Sequence, residues 1–185
     1  GELLYRLPNK EGYYFTYPKF FSSGQLVSAV RNHRGEMCLM MIDIPSGRQT
    51  LLVPWSMHPI GFPSVRNGEI YFTRTESGVD RGFRIRSGEI FAMNARPLTG
   101  AYQISAGYGH LAWSVFTAAG YHLNLARQEL SFSNDPLHFD ADDSLSQHGL
   151  SSLNNPPFQI PDSIPDLKSP ETPYPSATVI FHFHS

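Results

Sequence analysis

One short phrase occurs three times in this chain and constrains its folding more than anything else in it. Gly24-Gln-Leu-Val-Ser-Ala-Val-Arg31, Gly68-Glu-Ile-Tyr-Phe-Thr-Arg74 and Gly109-His-Leu-Ala-Trp-Ser-Val-Phe116 each set a glycine before a β-prone run. After a polar or glycine-bearing turn a second run follows, at Met37–Ile44, Ile90–Met93 and Tyr121–Ala126. Gly24, Gly68 and Gly109 are 44 and 41 residues apart. A unit of about 40–45 residues filled with strands is the size of a four-stranded propeller blade.

Composition points the same way. The 185 residues include 13 Phe, 9 Tyr, 15 Gly and 15 Pro, and no long run has helical period. Short strands between Gly/Pro-rich turns are the mark of an all-β chain. A net charge of −2 with 16% charged residues gives no basic footprint for nucleic acid. The single cysteine, Cys38, excludes an internal disulfide. It lies within Met37-Cys38-Leu39-Met40-Met41, where a thiol behaves as a small hydrophobe rather than a nucleophile. No stretch reaches the roughly 18 apolar residues of a membrane-spanning helix.

The first repeat runs from about Tyr17 to Pro54, with strands expected at 25–31, 36–44 and 47–53. The turn Asn32-His33-Arg34-Gly35 joins the first two in a hairpin. The run 37–42 is apolar on both faces, as in a strand covered on both sides. The second repeat spans about Met57 to Ile104, with strands at 68–75 and 88–94 separated by a polar turn, Glu76–Ser87. The third has strands at 109–117 and 120–127. Gly1–Arg6 parallels Gly47-Arg-Gln-Thr-Leu-Leu52 and is expected to be the outermost strand of a blade begun upstream, so that the chain is a fragment. The expected fold is a partial β-propeller of four-stranded antiparallel sheets over residues 1–133, about two complete blades plus partial ones. Its terminal faces should lack neighbours and expose apolar surface. Residues 134–176, rich in Pro, Ser and Asp, form a linker. Residues 177–185 begin a further β segment.

The order from Gly24 through Asp43 to Gly47 resembles the TolB-like propellers of bacterial envelope proteins. Where those repeats carry Ser-Pro-Asp-Gly, this chain has Phe21-Ser22-Ser23-Gly24, Val65-Arg66-Asn67-Gly68 and Gly107-Tyr108-Gly109, keeping only the glycine. The end, Tyr174-Pro-Ser-Ala-Thr-Val-Ile-Phe-His-Phe-His-Ser185, resembles a junction in large Bacteroidetes surface proteins, where an outer-membrane β-barrel follows such a propeller. The resemblance implies an envelope location, periplasmic or outer-membrane associated. It implies a non-catalytic scaffold that binds a protein or ligand through rim loops, with the rest of a longer chain or a barrel as partner. Two other classes stand beside it. One is the propeller portion of a peptidase-like hydrolase, its catalytic domain elsewhere. The other is a carbohydrate-binding propeller using Tyr13, Tyr14 and Trp55.

No Gly-x-Ser-x-Gly elbow occurs, so no catalytic residue is assigned. Asp140, Asp142 and Asp143 invite a calcium loop, but the position that wants glycine is Leu145. His182 and His184 alternate on one strand face without further ligands to complete a zinc site. Gly107-Tyr108-Gly109-His110 lacks the lysine of a phosphate loop and is a turn. No metal or cofactor residue is assigned. The expected contacts are in the rim loops, at Asn32, His33, Arg34, Trp55 and His58.

Overall fold

The structure, a computed structural model, describes Leu3 and residues 6–140. The chain divides into two units, Gly1–Ser146 and Gln147–Ser185, and the second lies outside the described residues. The first unit is all-β. Its strands are β1 (Tyr14–Ser22), β2 (Gln25–Arg31), β3 (Met37–Asp43), β4 (Gln49–Ser56), β5 (Ile60–Arg66), β6 (Glu69–Glu76), β7 (Val79–Arg86), β8 (Glu89–Ala92), β9 (Tyr102–Gly107), β10 (His110–Thr117) and β11 (Gly120–Arg127). They form three antiparallel sheets, each with its strands in sequence order: β1–β4, β5–β8 and β9–β11. A single 3₁₀ turn, Gln128–Leu130, follows β11.

Seven of these strands lie where the sequence places them. The polar stretch 76–87 is not the turn expected of it, because most of it is β7. Only Ser77 and Gly78 turn the chain. Ser77 and Gly78, Asn67 and Gly68, Ser87 and Gly88, and Tyr108 and Gly109 each have φ between +50° and +82° at both positions. Positive φ at both central residues matches the right-handed twist of the strands it joins, and Gly takes the second place without steric cost. Leu3 and Arg6 are not in a strand, and the other residues of the expected opening strand, apart from those two, lie outside the described set.

A deeper repeat sits in the first strand of each sheet. Tyr17, Phe62 and Gln103 have φ of +52°, +51° and +51°, and each marks a break in ladder register. They are 45 and 41 residues apart. Beside each bulge, a hydroxyl on the neighbouring strand donates to the carbonyl just before it. Ser28 Oγ reaches Thr16 O at 2.8 Å, Thr73 Oγ1 reaches Gly61 O at 3.1 Å, and Ser114 Oγ reaches Tyr102 O at 3.2 Å. A bulge leaves a carbonyl out of the ladder, and these hydroxyls satisfy it.

The second sheet is covered on both faces. Ile70, Phe72, Phe83 and Ile85 pack with Val27, Ala29, Leu39 and Val53 of the first sheet. Tyr71 and Met93 pack on the other side with Ile104, Leu111, Trp113 and Val115. Double burial is why β6 shows no polar alternation. The far face of the first sheet, with Val30, Cys38, Met40 and Ile42, is covered by Leu7, Tyr13 and Trp55. The far face of the third sheet is bare: Phe116, Tyr121, Leu123 and Leu125 share it and are exposed. First strands lie side by side, β1 against β5 and β5 against β9. The Tyr17 and Phe62 rings are 4.9 Å apart, and Ser64 Oγ donates to Ile104 O at 2.7 Å.

After β11 the chain adds no fourth strand to the third sheet among the described residues. It returns along β8 instead, with Asn94 N donating to Ser131 O, Ser133 N to Ala92 O and Leu137 N to Ile90 O, at 2.7–2.8 Å. Phe139 then meets Phe83 edge-on at 5.2 Å. Packing therefore continues past residue 133, because Leu137 is tied to β8 through its backbone and Phe139 packs against the core within the proline-bearing stretch.

Candidate functional site

Antiparallel registry fixes which loops share an end. Tyr14 pairs with Arg31, Met37 with Ser56 and Ile60 with Arg74, so the segments 9–14, 32–36, 56–60 and 77–80 gather at one rim. Asn32, His33, Arg34 and His58, of the five expected contact residues, lie in these segments, and Trp55 lies within β4.

Asn32 is the keystone of its turn. Its Oδ1 accepts from Arg34 N at 2.9 Å and Glu36 N at 3.1 Å, and its Nδ2 donates to Glu36 Oε2 at 2.6 Å. Those bonds leave it little capacity for a ligand. Arg34 is exposed. The His33 ring sits 3.0 Å from Glu11 O through Nε2 and edge-on to Tyr14 at 6.3 Å. Trp55 turns away from the rim and packs with Tyr13 at 5.2 Å over the far face of the first sheet. His58 Nδ1 lies 2.7 Å from Thr75 O and bridges the first two sheets.

Between those sheets a cleft of about 500 Å³ opens at this rim, lined by Tyr14, Tyr17, Arg31, Phe62, Thr73 and Asp80 among others. Tyr14 and Tyr17 are 61% and 48% exposed, so their ring faces are available. The bulges at Tyr17 and Phe62 turn these rings toward each other from adjacent first strands. The Arg31 side chain has no hydrogen bond or ion pair among the described residues. The Thr73 hydroxyl is committed to Gly61 O and Asp80 Oδ1 to the Thr75 hydroxyl. The cleft thus offers aromatic faces, one free guanidinium and one carboxylate, the equipment of recognition by stacking and hydrogen bonding. Of the three aromatics considered for carbohydrate, Tyr14 lines the cleft, whereas Tyr13 and Trp55 are spent on packing.

The remaining candidates fall elsewhere. Cys38 is fully buried, and burial pushes its thiol up to about 12. Tyr108-Gly109 is the turn of the β9–β10 hairpin. Asp140 is exposed, while Asp142, Asp143, His182 and His184 lie outside the described residues. Among the described residues no group of three or more His, Cys, Asp or Glu could hold a metal ion. None of the described helices is long and apolar enough to cross a membrane. Compared with known proteins, the chain matches no family model and no curated sequence.

Sequence reasoning missed Tyr17, Arg31, Phe62 and Asp80. A signal was present in Tyr17-Pro18 and Phe62-Pro63, an aromatic-proline pair repeated at the 45-residue interval.

Proposed function

We propose that this chain is a non-catalytic binding module, a segment of a TolB-like β-propeller serving as a scaffold in a bacterial envelope protein. It engages a protein or ligand at the rim cleft between its first two sheets. The bare face of the third sheet belongs against a further blade of a longer chain, which could lead on to an outer-membrane β-barrel. One observation carries this reading. Three consecutive antiparallel meanders stack face to face with their first strands adjacent, and each first strand has the same bulge at intervals of 45 and 41 residues. Repeated blades whose first strands converge are how a propeller is built, and its rims are where such modules bind. The aromatic and ionic lining of the cleft supports recognition rather than bond-breaking.

The test is binding of the full chain to glycan and peptide arrays, repeated with Tyr17→Ala and Arg31→Gln. Removing an aromatic anchor or a free guanidinium from a true contact lowers affinity by about tenfold or more. Ligands found on the arrays should be lost by both variants. Array binding that is indifferent to both would refute the cleft as the contact surface.

A further inference from the structure

A second cavity, of about 650 Å³, opens at the opposite rim and is independent of the cleft reading. It lies between the second sheet and the returning segment 128–134, and Glu69, Arg84, Arg86, Phe91, Gln128 and Phe132 form its inner wall. Its depth follows from the topology. Among the described residues the third sheet has no fourth strand, so the outer part of this face of the second sheet is covered by that returning segment.

Arg84 lies at its floor, paired across the ladder with Tyr71 and Phe91. Its side chain is 11% exposed, and its guanidinium carbon lies 4.6 Å from the centre of the Phe132 ring and 5.2 Å from that of Phe91. Two aromatic contacts fix the fork in place. Yet the guanidinium donates no hydrogen bond among the described residues, and Nε is buried with no partner. The nearest carboxylate oxygen, Glu69 Oε1, is 3.9 Å away from Nη1. Buried polar groups nearly always have partners, and a cation whose Nε is buried without one carries a deficit.

Glu69 is engaged elsewhere. Its Oε2 accepts from the Tyr71 hydroxyl and, at 3.0 Å, from Gln128 Nε2, while Oε1 is 3.5 Å from Arg86 Nε. Burial, then the bond to Glu69, raises the Tyr71 hydroxyl above its ordinary range, so it stays a donor to Glu69. Arg84 at the floor and Arg86 at its exposed edge, against Glu69, leave the inner wall with one net positive charge. Glu89 and Glu129 make the mouth acidic. A positive floor beneath an acidic mouth suits a monoanion better than a doubly charged phosphate, and the mouth carboxylates accept hydrogen bonds from hydroxyl donors.

We propose that this cavity binds a hydroxylated monocarboxylate of the sugar-acid class. Its carboxylate is held by Arg84 in a fork-to-fork pair supported by Arg86, and its hydroxyls donate to Glu89 and Glu129.

The experiment is calorimetric titration of the full chain with sodium glucuronate, glucose and inorganic phosphate. For a ligand of this size the chain is expected to bind glucuronate with a Kd on the order of 1 mM. Glucose, which lacks the carboxylate, should bind about tenfold or more weakly. Arg84→Gln should weaken glucuronate binding by about tenfold or more, and Arg84→Lys, with a point charge and no fork, should restore only part of it. Arg86 is 62% exposed, so Arg86→Gln leaves folding intact and is expected to weaken binding several-fold. It decides the matter if Arg84→Gln does not fold. No saturation by about 50 mM glucuronate, binding unchanged in Arg86→Gln or in a folded Arg84→Gln, or phosphate binding as tightly as glucuronate would each overturn the proposal.

Discussion

Gly82→Ala tests the packing of the second and third sheets at its tightest point. Gly82 is buried in β7, and a Cβ there would stand 2.3 Å from Ile104 Cδ1, 2.9 Å from Met93 Sδ and 3.2 Å from Met93 Cβ. The Ile104 methyl and the Met93 sulfur belong to side chains that can swing. Met93 Cβ cannot, because Met93 N donates to Gly82 O at 2.8 Å and holds that backbone close. Overpacking of this kind costs about 1–3 kcal/mol. Replacing glycine within a strand returns about 0.5–1 kcal/mol by lowering the chain's unfolded entropy. The net expectation is a loss of about 1–2 kcal/mol. Ile104→Val removes the obstructing methyl and by itself costs about 0.5–1.5 kcal/mol. The double variant should therefore be more stable than the sum of the two changes by about 1 kcal/mol. Equilibrium urea unfolding, followed by fluorescence of Trp113 in the same core, measures all four corners of the cycle. A neutral Gly82→Ala, or a cycle additive within about 0.5 kcal/mol, would refute the close approach of β7 and β9.

Three further outcomes follow from local geometry. Ser77 holds φ of +50°, where asparagine is better tolerated, so Ser77→Asn should stabilise by about 0.5 kcal/mol and raise Tm, while Ser77→Val should lower it. Cys38 should resist an aromatic disulfide reagent at pH 8 until denaturant is added. With its thiol raised to about 12, its contribution to stability is full below the unfolded value near pH 9 and declines as pH rises from there; rapid labelling of the folded chain would contradict this. Asp43 is held below its ordinary range, first by the Ser46 hydroxyl and then by Ser46 N. That stabilisation is present above the unfolded carboxylate value near about 4 and is lost as pH falls through the lower folded one. The Tm difference between the wild type and Asp43→Ala should accordingly shrink between pH 6 and pH 3.

Met37–Ile42 was legible because a strand buried on both faces has a plain compositional signature, and Leu111–Val115 because its large apolar residues alternate toward the core. The first strand of each sheet was not. β1 and β5 contain Pro18 and Pro63, and proline argues against a strand wherever its missing N–H would be needed. Here each follows a positive-φ residue at a bulge, where the ladder makes no use of that N–H. β7 was hidden for another reason. Val79-Asp-Arg-Gly-Phe-Arg-Ile-Arg86 has the charge and glycine of a loop, but Gly82 permits the approach of Ile104 and Arg84 lies between two aromatic rings. Rim residues on hairpin turns could be read from Asn32-His33-Arg34-Gly35. The cleft could not, because it forms where two sheets 45 residues out of step come together. Nor could the Arg84 cavity, since nothing local records that residues 131–137 return along β8.

The course of the chain after β11 has a consequence for how this molecule assembles and comes apart. Residues 131–137 seal the outer edge of β8, joining points roughly 40 residues apart across the whole of the third sheet. Such a clasp shuts only after the intervening hairpins are in place, so its loop-closure entropy falls due late in folding. Once shut, it forbids peeling: the third sheet cannot leave without uncovering the edge of the second. Amide exchange should reveal this as shared kinetics. The Ser133 and Leu137 amides would exchange with those of β10 rather than fray independently like a chain end.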